Sequence, residues 1–499
     1  MPWARGRVSG IVALLLVLAA RHVLAQGRIV DTPELKGAYG LIVIPEGWQP
    51  ETGGLFLYAH GYTADRRLLR PFKPDLSDLD PLFVLGLLPL ERGYAIATTT
   101  FRAVGWYVKD AVKDIENLRR YFVRRYGKPK HTYLWGHSGG GMVTSTVIEY
   151  FPDLYDGAAP MCGPSAGARR NFNGAFDIRV LFEWVCRDVP ESRFTCRICS
   201  GGQQRCLREG DCPAGETCGA AEPPPPPELG LSRECTEFLL AHPDRFSETT
   251  TAIGGDFVDD RVAACLGDGT DDTPDQRERR RLFVAASQLP ESFITTDMFF
   301  ATIGMAEVVH RRTGGKPPWG NLGVRYDSPR LAAAERERLN AEVYRAANHP
   351  AATRYLRRWY EPRGRTRSKV LTVHALDDGL VIPENQNSYR DVFAAARRPD
   401  QLVQLFTATG GHCLFVSALP TALDAITGWV EAGRVPDPAS LRDQCPACGF
   451  TLEQPGSWGT RSPERRQKGV PLRQLACDPA EPADCPAEAS CPPRRLRCR

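Results

Sequence analysis

Thr132-Tyr133-Leu134-Trp135-Gly136-His137-Ser138-Gly139-Gly140-Gly141 is the stretch on which the fold turns. Its first four residues read as a strand, and the residues from Met142 to Tyr150 that follow it are patterned as a helix. Between strand and helix, Gly136-His137-Ser138-Gly139-Gly140 matches G-x-S-x-G. The spacing has a physical reason: glycines on either side of the serine permit the sharp strand-to-helix turn that lifts a hydroxyl out of a sheet.

Upstream, Leu41-Ile42-Val43-Ile44 and Leu55-Phe56-Leu57-Tyr58 are early strands separated by polar turns, and Tyr94 to Thr100 is another. Val108, Ala111, Val112, Ile115, Leu118 and Phe122 recur at helical spacing until Gly127 offers a stop. Downstream, a short apolar segment ends at Ala159-Pro160-Met161-Cys162. The next sheet strand, Lys369 to His374, comes only after a long interval, followed by a helix around Gln386 to Ala395 and a strand at Leu402 to Phe406. Alternation of strand and helix predicts an α/β fold, a mostly parallel central sheet flanked by helices. The expected organisation is a leader over 1–25, a catalytic domain over 26–165 and 366–435, an insertion over 166–365 and a cysteine-rich extension over 436–499. Cys186 to Cys235 and the proline run Pro223 to Pro227 mark a loop-like, stiff part of the insertion. The rest reads as helical, so the insertion is expected to be a mainly helical cap carrying disulfides.

A serine hydroxyl becomes a useful nucleophile when a base removes its proton. Gly410-Gly411-His412 follows the strand at Leu402 to Phe406, where a loop would return to Ser138. The other histidines precede the serine, fall in the insertion or, like His374, sit on a strand. Asp377 and Asp378 lie just past a strand end, and an acid there would accept the second N–H of the histidine and set its tautomer.

Together these elements resemble the α/β-hydrolase superfamily, and more narrowly its secreted esterase and prolyl-oligopeptidase-like members, over about residues 36–165 and 366–434. The resemblance implies a chain order of nucleophile, acid and base filled by Ser138, Asp378 and His412. It favours Asp378 over Asp377, because an aspartate three residues before a valine (Val381) and five before a proline (Pro383) is usual in that class. His60-Gly61-Tyr62 resembles the loop that supplies one oxyanion donor, here the Tyr62 N–H, with Gly139 supplying the other. His412-Cys413 is similar to half of the tannase and feruloyl esterase pattern, in which a disulfide ties the nucleophile loop to the histidine loop. His137 stands where that pattern has its other cysteine, so Cys162 is the expected partner. The implied activity is hydrolysis of carboxylic esters, on a small molecule or a polymer, without a metal or organic cofactor. A peptidase or amidase with the same triad, and a non-catalytic binding module on a hydrolase fold, are the alternatives.

Composition is that of a soluble enzyme, 42% hydrophobic and 24% charged. Net charge is +4, and the arginines of the leader, Arg5, Arg7 and Arg21, account for most of it. That excludes nucleic acid as the expected partner. The apolar run Ile11 to Ala20 before Val23-Leu24-Ala25 reads as a secretory signal cleaved after Ala25, too short for a membrane anchor. Sixteen cysteines predict an oxidising, extracellular or periplasmic compartment. Asp211-Cys212-Pro213-Ala214 to Cys218 recurs as Asp484-Cys485-Pro486-Ala487 to Cys491, predicting two related disulfide loops, and the tail is a candidate for docking to a surface or polymer. Two CxxC pairs, Cys196 to Cys199 and Cys445 to Cys448, have spacings that zinc accepts, although disulfides are expected here. Asp268 to Asp272 reads as a solvated turn, and Trp106 and Tyr107 as packing residues.

Overall fold

The computed structural model describes residues 28–246 and 255–456, together with the backbone of 473–475. The leader and Cys477, Cys485, Cys491 and Cys498 lie outside the described residues. Among those described, the chain forms two compact units, one built from residues up to Gly167 and from Trp359 onward, the other from Ala168–Arg358 with the strand at 473–475.

In the first unit a mixed sheet contains β1 (Ile29–Asp31), β2 (Ala38–Ile44), β3 (Gly54–Ala59), β4 (Ala95–Thr99), β5 (His131–His137), β6 (Gly157–Met161), β7 (Lys369–Ala375), β8 (Leu402–Thr407) and β9 (Phe450–Thr451). Its spatial order is β1-β2-β4-β3-β5-β6-β7-β8-β9, with the short strand Glu34–Leu35 paired to β2. The run from β4 to β8 is parallel, and antiparallel strands close both ends. Every residue of β3 is buried. Parallel strands covered on both faces must be apolar throughout, which is why these segments show no alternation.

Helix α1 (Val108–Tyr126) buries the six apolar residues whose spacing announced it, and Gly127, at φ 96°, ends it. Helices α2 (Gly139–Tyr150), α3 (Glu384–Ala395) and α4 (Leu419–Ala432) follow β5, the β7 loop and the β8 loop. The sheet runs past residue 436, where composition alone suggests a break. Helix Pro438–Gln444 leads to a Cys445–Cys448 disulfide and to β9, whose Phe450 pairs with Thr407 of β8.

The second unit is mainly helical. Its helices include Ala168–Cys186, Asp256–Leu266 and Pro274–Ser287, the last started by a Thr273–Gln276 capping box. The apolar stretch Glu291–Arg312 has the length of a membrane span, but 72% of its apolar window is buried in the protein. A three-stranded sheet (Arg197–Cys199, Arg205–Cys206, Cys218–Ala221) is held by disulfides Cys196–Cys235, Cys199–Cys212 and Cys206–Cys218, and Cys186–Cys265 joins two helices. Cys212 and Cys218 of the internal repeat are therefore not bonded to each other; they close two overlapping loops. All four cysteines of the CxxC pairs are consumed in disulfides. Asp272 accepts the Asp268 and Gly269 amides and pairs with Arg280, the pattern of a self-contained turn.

Candidate functional site

Ser138 occupies the turn between β5 and α2 with φ 56° and ψ −119°, a conformation L-residues seldom adopt. Two close approaches hold it there. A β-carbon on Gly136 would lie 2.4 Å from the Ala59 carbonyl oxygen, and one on Gly140 only 1.9 Å from the same atom. Glycine at both positions lets β5 and the start of α2 press against the end of β3. The Ser138 amide donates to the Met161 carbonyl (3.0 Å), fixing the turn to β6 as well.

His412 comes from the loop after β8. Its Nε2 is 2.8 Å from Ser138 Oγ, and its Nδ1 is 2.8 Å from Asp378 Oδ2. Asp378 is fully buried, and its Oδ1 accepts the amides of Leu380 (3.0 Å) and Val381 (2.9 Å) in the turn after β7. Burial by itself raises the Asp378 pKa, but the charges and hydrogen bonds of His412 and His374 outweigh it and bring the carboxyl down to about 2. Its neighbour Asp377 does different work, accepting the Gly411 amide at 2.8 Å and so tethering the histidine loop. That loop runs through positive φ at Gly410, Gly411 and Cys413. A disulfide then joins Cys413 to Cys162, whose amide donates to the Val373 carbonyl of β7 (2.9 Å).

The loop after β3 reaches the same turn. A β-carbon on Gly139 would lie 2.8 Å from the Tyr62 amide nitrogen and 2.6 Å from the Tyr107 hydroxyl, so the Gly139 backbone packs closely against the Tyr62 backbone and the Tyr107 side chain. Gly139 is the first residue of α2, where the N–H has no intrahelical acceptor. Tyr107, which reads as a packing residue from sequence, donates its hydroxyl to the His60 carbonyl (3.1 Å), and Gly105 donates to Thr63 (2.7 Å). Burial pushes the His60 imidazole down to about 4, against the pull of the Gly61 and Thr100 carbonyls. His137 is buried among Tyr58, Trp135 and Phe415, and neither ring nitrogen has a hydrogen-bond partner among the described residues. Burial, then the nearby His412 charge, lowers its pKa to about 3.

The structure thus brings Ser138, His412 and Asp378 into one hydrogen-bonded line and sets Tyr62 and Gly139 beside it. Sequence reasoning weighed Asp377 only as the alternative acid and set His374 aside as a strand residue; the structure places Asp377 on the Gly411 amide and His374 Nε2 3.2 Å from Asp378 Oδ2.

Residues 83–221 match a tannase-like family of unknown function (DUF6351). No curated protein matches the chain. Among solved structures, it is similar to the rice cell wall degrading esterase LipA of Xanthomonas oryzae (13% identity, TM-score 0.34, covering 83% of this chain and 86% of that one). Feruloyl esterase B of Aspergillus oryzae is similar at 14% identity and TM-score 0.36, with 82% of each chain covered. A prolyl endopeptidase is similar at 15% identity and TM-score 0.22, over 28% of this chain; the chain spans 21% of that enzyme's length.

Proposed function

We infer that this chain, an α/β-hydrolase by fold, is a secreted serine hydrolase that cleaves carboxylic esters through an acyl-enzyme. The observation that carries the reading is the unbroken contact from Asp378 Oδ2 through His412 to Ser138 Oγ, each link 2.8 Å. Ser138 Oγ attacks the carbonyl carbon while His412 Nε2 takes the hydroxyl proton. The resulting imidazolium is stabilised by Asp378, whose carboxyl is kept ionised by the His412 charge and hydrogen bond and by the neighbouring His374. The N–H groups of Tyr62 and Gly139 receive the oxyanion. His412 then protonates the leaving alcohol, and a water deprotonated by His412 releases the acid and restores Ser138. No metal or organic cofactor is required by this sequence of steps.

Six disulfides among the described residues support an oxidising compartment, and the tannase-like match favours esters over amides. Labelling by a fluorophosphonate, compared between wild type and Ser138→Ala, tests the activated serine. A panel of matched ester and amide substrates then tests the bond class: faster turnover of the amide replaces the esterase reading with a peptidase or amidase. No labelling of folded wild type leaves a binding module on a hydrolase fold.

A further inference from the structure

We propose that His374 is a positioning residue for the reaction, fixing the turn after β7 and the Asp378 carboxylate oxygen that faces His412; the proposal rests on the serine hydrolase reading above. His374 lies on β7 and is fully buried. Its Nε2 is 3.2 Å from Asp378 Oδ2, the same oxygen that receives His412, and 2.8 Å from the Val381 carbonyl. Both of these partners are acceptors, so the ring proton sits on Nε2. The other nitrogen, Nδ1, then accepts from the Gln386 side-chain amide at 3.0 Å.

Gln386 is itself held. Its Nε2 donates to Ser165 Oγ (3.2 Å), and Gln404 donates to its Oε1 (3.2 Å) and to its backbone carbonyl (2.8 Å). Gln386 and Ser165 are buried, as is His374. A polar chain of this kind is costly to bury unless every member is satisfied, and its inner end is the one carboxylate that orients His412. The His374 N–H is bonded to the Val381 carbonyl and lies 3.2 Å from Asp378 Oδ2, the oxygen that meets His412 Nδ1, so it favours one setting of the turn and of the carboxylate. His374 touches no reacting atom; it acts on Ser138 only through Asp378 and His412.

The test uses the full secreted chain as wild type, His374→Leu and His374→Gln, each checked for folding by thermal unfolding. Three readouts are taken: the rate of fluorophosphonate labelling at Ser138, the kcat and KM for p-nitrophenyl acetate, and the downfield proton resonance of the His412 Nδ1–H. His374→Leu is expected to slow labelling and lower kcat by about 10- to 100-fold, the effect of a small misplacement at the reacting groups, with KM little changed and the downfield resonance shifted or lost. Glutamine places an amide nitrogen about as far from Cβ as imidazole Nε2, so His374→Gln is expected to recover part of the rate and the resonance. Should His374→Leu fail to fold, Gln386→Met removes the donor to Nδ1, together with the side-chain bonds to Ser165 and Gln404, while leaving the imidazole in place, and is expected to act in the same direction. A folded His374→Leu, or failing that a folded Gln386→Met, with the wild-type labelling rate and resonance overturns the proposal while leaving the hydrolase reading intact. A folded wild type that takes no phosphonate overturns both.

Discussion

Cys413 is bonded to Cys162 across 251 residues of sequence, and its sulfur lies 3.5 Å from Nε2 of the adjacent His412. The bond fastens the loop that carries the histidine to the end of β6, the strand that also receives the Ser138 amide. Replacing both cysteines by serine is expected to reduce stability by about 2–5 kcal/mol. Activity should fall further than the folded fraction does, because the loop is freed at one end. Denaturant titration alongside ester turnover checks this, and turnover that tracks the folded fraction alone would count against a positioning effect of the disulfide.

The two adjacent aspartates should separate cleanly. Asp378→Asn removes the charge facing His412 Nδ1 and stabilises the wrong tautomer, so kcat should drop on the order of 10³- to 10⁴-fold. Asp377→Asn keeps an oxygen for the Gly411 amide and should cost less than about tenfold. Steady-state kinetics on the two variants decides it, and equal losses would remove the distinction.

Stability should weaken in mild acid, because His137 and His60 are held neutral by burial, with pKa values of about 3 and about 4. In the unfolded chain each titrates near 6.5, so below that pH the unfolded state binds protons that the folded state refuses. The stabilisation is complete above about pH 6.5 and is lost as pH falls, by up to about 1.4 kcal/mol per unit per histidine. His137→Phe is therefore expected to flatten the decline in unfolding free energy between pH 6.5 and pH 4, measured by chemical denaturation. An unchanged slope would mean that His137 finds a partner in solution.

Asp378 adds a second acid-sensitive group with its own window. Its folded pKa of about 2 lies below the usual carboxylate value, so its contribution is present above about pH 4 and lost as pH falls towards 2. Subtracting the pH–stability curve of Asp378→Asn from that of wild type should reveal this lower step.

Gly140→Ala should unfold or strongly destabilise the first unit, because its methyl would sit 1.9 Å from the Ala59 carbonyl and 2.7 Å from that of His60, both backbone atoms. The expected loss is about 3 kcal/mol or more. Gly210→Ala is the control, since nothing lies within 4 Å of its added carbon. A melting temperature for Gly140→Ala equal to that of the control would refute the close-approach account.

The local signals of this chain belong to segments whose own residues decide their conformation. The strand into Gly136-His137-Ser138, the apolar face of α1 and the buried runs of β3 and β7 are legible because period and turn chemistry act over a few residues. The resemblance orders Ser138, Asp378 and His412 along the chain, and the fold brings the three side chains within hydrogen-bonding reach. What the tertiary structure alone decided are the relations that join distant segments. Cysteine spacing does not encode pairing, so Cys212 and Cys218 looked like one loop and are two. Residues 445–451 looked like a tail by composition, yet the open edge of β8 needed a hydrogen-bonding partner and β9 supplied it. Asp377 and Asp378 are indistinguishable as residue types. The turn after β7 points one at the Gly411 amide and the other at His412, and His374 comes within 3.2 Å of that carboxylate only because the same turn folds back over the end of β7.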